Sequence, residues 1–296
     1  MAKLFGIIPP MTTPFDGDGE IDQAAVRAQV RWLLDRGVHG LAAGGSTGEG
    51  HTLDADELRR LVATVVEEVD GRVPVIAGII VDSTRDAIRR GEALADLDMA
   101  ALQVTPVHYL FRPDDQAMLA HFRAICEATG QKVIIYNVVP WSYLAPGLLL
   151  RIMREVPGVI GVKQSAGDLK LVADLLLGAR AGDHIFSAVD ALLYPSFVLG
   201  AHGVIAALPS AAPGPCVALW DAVQRGDHGR AQDLHRRLLR LWNALVGDNL
   251  PACVKHAQAV QGCPVGPPRA PMPPANADQR RAIEAALEAL AQVAAQ

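Results

Sequence analysis

Short, β-branched apolar runs recur along the chain at 6–12, 40–45, 73–79, 101–105, 133–137, 159–164, 184–188 and 203–207. Between them lie stretches of helical length whose apolar residues fall three and four apart, the spacing that puts them on one helix face. Eight such runs in strict alternation with helices predict a parallel sheet covered by helices. Eight is also the number that closes the sheet into a (β/α)8 TIM barrel. An open doubly wound sheet shares the alternation and differs only by a reversal of strand order, which no pattern of residues carries.

The intervening stretches bring their own start and stop signals. After Asp54, the residues Leu58, Leu61, Val62, Val65 and Val69 line one face, and Glu57 completes a capping box with Asp54. Gly71 and Pro74 end that helix. A second helix follows Asp82, with Ala87, Ile88, Leu94 and Leu97 as its apolar stripe and Arg85, Arg89 and Arg90 turned to water. All these stripes are read as core packing. Beyond 207 the pattern predicts helices over 213–247 and 249–261. Pro264, Pro267, Pro268, Pro271, Pro273 and Pro274 then impose an extended linker, and a last helix over 278–293 carries Ile283, Leu287 and Leu290 on one side. The expected organisation is a catalytic barrel over 1–212 and a helical extension over 213–296 packed on it, with no internal repeat.

Composition narrows the class. With 296 residues, half of them apolar and a fifth charged, the chain can bury a large core. The net charge of -5 comes without a basic block, which argues against nucleic acid as a partner. Met1 to Phe5 lack the start of a secretory signal and no apolar run has the length of a membrane span, so a cytoplasmic protein without membrane contact is expected. Cys126, Cys216, Cys253 and Cys263 form no C-x-x-C pair and are expected to be reduced, buried and small, neither disulfide-bonded nor metal-bound.

In a barrel of this kind the chemistry sits at the C-terminal ends of the strands. The second run leads into Gly44-Gly45-Ser46-Thr47-Gly48-Glu49-Gly50, whose glycines let backbone amides approach a ligand. It has neither G-x-G-x-x-G spacing nor a following lysine, so a small carboxylate suits it better than a nucleotide. Taken alone it reads equally as a tight strand-to-helix turn. The sixth run ends Val162-Lys163-Gln164. An amine at the end of an apolar strand loses hydration, which favours its neutral, nucleophilic form. Only five of the 27 basic residues are lysines, so a lysine in a strand suggests a need for a deprotonatable group, although a structural ion pair is the plainer reading. The fifth run ends Tyr136-Asn137-Val138, placing a proton-bearing hydroxyl on the same rim. The fourth leads into Pro106-Val107-His108-Tyr109. In isolation Tyr136 reads as a core tyrosine and His108 as a solvated loop residue.

In this order, Gly-Ser-Thr-Gly-Glu, Tyr-Asn-Val and Gly-Val-Lys resemble the dihydrodipicolinate synthase and N-acetylneuraminate lyase family of class I aldolases. Gly6-Ile7-Ile8-Pro9-Pro10-Met11-Thr12 and His202-Gly203-Val204-Ile205 resemble its first and last strands. The resemblance covers nearly the whole chain. It implies that Lys163 forms an imine with pyruvate or another 2-oxo acid and that Tyr136 shuttles protons. It also implies that Thr47 links Tyr136 to a tyrosine from a neighbouring subunit, with Tyr109 the first candidate and His108 the second. The amides of Ser46 and Thr47 would bind the substrate carboxylate, with Gly48 and Ile205 beside them. No cofactor and no metal is then required, and the family is commonly a homotetramer built from tight dimers.

Three departures bear on the substrate. Val107-His108-Tyr109-Leu110-Phe111 replaces the family's tyrosine pair. Trp141-Ser142 stands where the synthases of lysine biosynthesis place the arginine that holds the carboxylate of aspartate semialdehyde. Gln164 replaces an acidic residue. Trp141 is thereby a substrate-binding candidate, and Arg112 is the residue left to supply a carboxylate anchor. The expected enzyme is a Schiff-base lyase working by aldol cleavage, condensation, or dehydration of a 2-oxo-3-deoxy acid. A sugar-acid aldolase or dehydratase fits the missing arginine better than the lysine-pathway synthase does. A non-catalytic metabolite-sensing barrel has no use for a neutral amine beside a proton relay. A metal-dependent aldolase lacks a histidine pair at ligand spacing.

Overall fold

The computed structural model describes residues 3–263 and 265–291. Pro264 of the expected linker and residues 292 and 293 of the expected last helix lie outside the described residues. Eight strands, β1 Gly6–Ile7, β2 Leu41–Ala43, β3 Val75–Ile79, β4 Ala101–Val104, β5 Val133–Asn137, β6 Val159–Gln164, β7 His184–Ser187 and β8 Gly203–Val204, pair in parallel in the order β1-β8-β7-β6-β5-β4-β3-β2. The sheet closes on itself where Met11 N–H donates to Ala42 O at 2.8 Å and Ala42 N–H donates to Pro9 O at 3.0 Å. Strand order thus follows chain order around a barrel, with no reversal.

Several strands are shorter than their apolar runs, for local reasons. Pro9 and Pro10 have no N–H to give to a ladder, so β1 ends at Ile7 and a single bridge from Pro10 to Ala42 is all that continues it. The last run is cut at Val204 because Ala207 already opens a helix, α8 Ala207–Ala211.

Around the barrel run α1 Gln23–Leu34, α2 Ala55–Val69, α3 Thr84–Glu92, α4 Asp115–Thr129, α5 Pro146–Glu155, α6 Leu169–Gly178 and α7 Leu193–Val198. The expected capping box is present at α2, where Asp54 accepts from Glu57 N–H at 2.8 Å and Glu57 accepts from Asp54 N–H at 3.0 Å. In α3 the cap is Ser83, and the helix ends at Glu92. Leu94 is still buried, but from the turn that follows. The stretch 213–247 is two helices, α9 Pro213–Gln224 and α10 His228–Leu245. Gly226, at φ 74°, turns the chain and Asp227 recaps it by accepting from Arg230 N–H. Then come α11 Leu250–Ala259 and α12 Ala277–Ala291.

Alternation along each strand sends residues inward and outward in turn. Ile8, Ala42, Ile76, Ala101, Ile134, Phe186 and Ile205 fill the barrel, and Ile135, Val162 and Ile185 face the helices. The filled interior is a floor above which Tyr136 and Lys163, register neighbours on β5 and β6, turn into the open end. Beyond residue 212, α9 to α12 share one apolar cluster with Ile7, Val204 and α7 and α8, so the extension and the barrel wall are packed through a single core.

A buried charge pair joins the extension to the Gly-rich loop. Lys255 of α11 holds Glu49 at 2.8 Å, with side-chain exposures of 3% and 0%. Lys255 also donates to Pro267 O at 2.8 Å, and Glu49 accepts from Arg269 N–H at 2.8 Å. Glu49 sits in the left-handed region at φ 55°, a conformation that costs energy in a residue other than glycine and that this anchoring holds. Removing one partner leaves the other charged in a dry site, worth about 3–5 kcal/mol. Lys255→Met is therefore expected to destabilise the protein by about that amount in urea unfolding at fixed protein concentration. Glu49→Gln combined with Lys255→Met should recover part of the loss. Equal stability of the single variant and the wild type would show that the pair does not hold the loop.

Candidate active site

The Gly-rich loop owes its path to Gly44 and Gly50. Gly44 lies at φ 74°, and a Cβ on Gly50 would overlap the Gly44 carbonyl. The chain can therefore fold tightly back after β2 into a 3-10 turn, Ser46–Gly48. As the first residues of a helical turn, Ser46 and Thr47 have N–H groups with no acceptor inside the turn, and both residues line the cavity at the open end of the barrel. Gly48 lies behind the turn. Its carbonyl accepts from Thr13 Oγ1 at 2.6 Å, so it supports the loop and does not line the cavity.

Above the floor is a cavity of about 590 Å3 lined by Ser46, Thr47, Tyr136, Lys163, Ser165, Asp190 and Ile205, with apolar residues filling out its walls. Lys163 is 3% exposed, and its Nζ lies 3.7 Å from the centre of the Tyr136 ring. Burial holds its amine down at about 7, against the opposing pull of the Asp190 charge. The same burial raises the Asp190 carboxyl to about 7, opposed by hydrogen bonding from Leu208 N–H at 2.6 Å and by the charge of Lys163. Near neutrality the cavity thus holds an amine available as a free base and a carboxyl that is partly protonated. Burial also pushes the Tyr136 phenol up to about 12, so it stays a proton donor.

The Tyr136 hydroxyl donates to Ser46 Oγ at 3.1 Å. The expectation that Thr47 makes this link is corrected. Successive residues of a 3-10 turn point about 120° apart, so the side chains of Ser46 and Thr47 cannot both face one phenol. Beneath the rim a side-chain clamp ties β5 to β6. Asn137 Nδ2 donates to Gln164 Oε1 at 3.2 Å and to Leu144 O at 3.0 Å, and Asn137 Oδ1 accepts from Leu144 N–H at 2.9 Å. The clamp is formed by the residues next to Tyr136 and Lys163, on the opposite strand face.

Four more candidates lie outside the cavity. Tyr109 is 65% exposed and Arg112 is exposed, both on the loop after β4. Trp141 is 70% exposed, and its indole N–H donates to His108 O at 2.7 Å and Tyr109 O at 3.2 Å. Trp141 therefore pins the β4 loop from outside and does not take the place of a substrate-binding arginine in the cavity. Arg112 does not line it either. His108 is held between two rim loops, its N–H donating to Asp82 of the loop after β3 at 2.9 Å and its Nδ1 lying 3.0 Å from Pro106 O of its own loop.

Asp190 was not among the sequence candidates. The available signal was its position just past the end of β7, the same kind of rim position that singled out Lys163 and Tyr136. Trp242, Leu250 and Pro251 also line the cavity, and nothing in their local sequence says so. Ser165 lines it too, and its Oγ is itself buried with no hydrogen-bond partner among the described residues.

The model of the dihydrodipicolinate synthetase family matches residues 3–290. A 4-hydroxy-tetrahydrodipicolinate synthase from Methanopyrus kandleri is 35% identical over 291 residues, covering 97% of this chain and 97% of the relative. One from Symbiobacterium thermophilum is 37% identical over 285 residues, covering 95% and 96%. The crystal structure of a dihydrodipicolinate synthase from Bacillus anthracis superposes with a TM-score of 0.92 at 29% identity, covering 97% of this chain and 99% of the other.

The electrostatics of the amine can be checked without any substrate. Lys163 is expected to react with cyanate, mapped by peptide mass, with a pH midpoint near 7. Free lysine would give about 10.4. Because the Asp190 charge raises the amine's pKa, Asp190→Asn should move the midpoint lower. An unmoved midpoint, or one near that of free lysine, would contradict this account.

Proposed function

Since the chain belongs to the dihydrodipicolinate synthetase family, we propose that it is a class I lyase that binds pyruvate or another 2-oxo acid as an imine on Lys163. The observation that carries this reading is a buried amine, held at about 7, in one cavity with a phenol that stays protonated and two amides with no acceptor inside their turn. Each group has a task that its environment suits. The amides of Ser46 and Thr47 take the substrate carboxylate, and Ile205 packs against the substrate from the wall. Lys163 attacks the 2-oxo carbon as the free base, and water leaves to give the protonated imine. That imine withdraws electrons from C3, so a C3–H or C3–C4 bond can break to an enamine without a metal or other cofactor. Tyr136 carries protons to and from the reacting oxygen, with Ser46 as its hydrogen-bond partner.

Around this centre we place an enzyme of the cytoplasm working as a homotetramer. Tyr109, Leu110, Phe111 and Trp141 form an exposed apolar group on one loop cluster, beside the cavity mouth. A second copy covering that group would remove large aromatic surface from water and bring a tyrosine toward the neighbouring site. The names of the relatives favour a second reading, the lysine-pathway synthase itself. Against it stands a cavity with no arginine among its described lining residues.

Trapping tests the chemistry directly. Incubation with pyruvate and borohydride should add a stable mass to the wild type and none to Lys163→Ala, and labelling that persists in the variant would move the nucleophile elsewhere. With Tyr136→Phe, kcat on the working substrate should fall roughly 10²–10⁴-fold while trapping continues. Ser46→Ala should lower kcat more than Thr47→Ala, since Ser46 carries the hydroxyl that accepts from Tyr136. Normal turnover by Tyr136→Phe would remove the tyrosine from the mechanism.

A further inference from the structure

We infer that the second substrate of this site, the aldehyde joined to or released from the 2-oxo acid, is uncharged and carries an apolar substituent of branched-alkyl or aryl size. The inference rests on the imine reading above and concerns the part of the cavity that reading leaves unassigned. The 2-oxo acid needs Lys163, Tyr136 and the amides of the Ser46–Gly48 turn. The bulk of the remaining wall comes from six residues, Val138 after β5, Val189 and Leu192 after β7, and Trp242, Leu250 and Pro251 from the two helices that close the cavity from the extension, with Ser165 and Asp190 the polar residues beside them. All six are apolar, and one is the largest aromatic side chain. Ionisable lining residues number three, Lys163, Tyr136 and Asp190, of which the first two are occupied by the 2-oxo acid.

The charge balance of this wall decides the class. A second carboxylate, as in aspartate semialdehyde, would leave water for a wall to which the described residues of this chain bring no cation beyond the imine-bound Lys163. The one remaining ionisable group, Asp190, repels it when ionised. Arg112 and Trp141, the residues from which an anchor was expected, are turned out to solvent. A polyhydroxylated chain, as in a sugar acid, fares little better, because its hydroxyls would meet Val138, Val189, Leu192 and Leu250 and lose their hydrogen bonds to water. One hydroxyl can be accommodated, because the Asp190 carboxyl lines the cavity and can accept a hydrogen bond from it. An aldol product has one such group, on C4. An apolar substituent beyond C4 gains from the same wall what a charged one loses.

The enamine carbon, C3 of the lysine-bound pyruvate, forms a bond to the aldehyde carbon. The aldehyde oxygen becomes the C4 hydroxyl by taking a proton from Tyr136. Water then adds to the imine carbon and the C–N bond breaks, freeing the Lys163 amine and a 4-hydroxy-2-oxo acid whose C4 carries the apolar group. In the opposite direction the same bond breaks and the apolar aldehyde leaves.

The experiment has two stages on the full-length protein. Borohydride trapping with pyruvate comes first, and absence of a Lys163-dependent adduct would overturn the imine reading and this inference with it. Where trapping succeeds, condensation of pyruvate is followed with benzaldehyde, isovaleraldehyde, glyceraldehyde and aspartate semialdehyde. The expected result is a kcat/KM for the two apolar aldehydes roughly ten- to hundred-fold above those for the other two. A preference for the semialdehyde or glyceraldehyde in a protein that traps pyruvate overturns the inference and leaves the imine reading standing. Trp242→Ala and Leu250→Ala should each lower the ratio of benzaldehyde to semialdehyde efficiency by about tenfold. Such a ratio, taken on one preparation, does not depend on how much of the variant folds, and an unchanged ratio in both variants would remove this wall from substrate choice.

Discussion

The burial of one amine organises the functional end of the molecule. Lys163 is almost wholly withdrawn from water at the end of an otherwise apolar strand, and the loss of hydration, more than any charge nearby, brings its amine to about 7. A lysine so placed needs a floor that excludes water from below and a cavity that admits a ligand from above. The layer of Ile8, Ile76, Ile134, Phe186 and Ile205 supplies the floor. Around the amine, Asp190 moderates the shift by its charge, and Tyr136 lies against it as a group that stays protonated under the same burial. The three groups face one low-dielectric space, so a change in one is felt by the others.

Placing the amine correctly depends on the rigidity of its surroundings, and much of that comes from polar contacts behind the site. Asn137 and Gln164 lock the ends of β5 and β6 on the face away from the cavity. Glu49, Lys255 and Arg269 lock the Gly-rich loop against the C-terminal extension. A buried ion pair is seldom a large net gain in stability, but it is costly to break and fixes one arrangement over its alternatives. Here the arrangement it fixes includes the turn whose amides are offered to a ligand. The extension consequently acts on the site twice, from behind through Lys255 and from above through Trp242, Leu250 and Pro251.

This second contribution separates the shared chemistry from the choice of partner. The groups that suit imine formation come from strands and from one tight loop, all within the barrel. The groups that meet the remainder of the substrate come largely from loops after β5 and β7 and from helices of the extension. Such a division allows the reacting end of a site to be kept while the other end changes.

The alternation of eight apolar runs with amphipathic stretches determined an eight-stranded parallel sheet covered by helices, because a strand buried on both faces and a helix buried on one leave different periods in the sequence. The strand-end positions of Lys163 and Tyr136 were legible for the same reason, as polar residues closing apolar runs. Composition was a weaker guide. The rarity of lysine applies equally to Lys255, which is buried in an ion pair with Glu49, and it was position in a strand that told the two apart. Strand order, the break at Gly226 and the seating of α9 to α12 in a shared core were decided only in three dimensions. So was the partner of Tyr136, because in a 3-10 turn adjacent hydroxyls point about 120° apart and sequence does not say which one faces the phenol. Trp141 shows the limit most clearly. Its place in the chain is that of a substrate-binding residue, yet its indole is committed to the carbonyls of His108 and Tyr109 on the outside. The aromatic part of the wall comes instead from Trp242, with Leu250 and Pro251 beside it, about a hundred positions further along and brought there by packing between helices that leaves no local mark on the sequence.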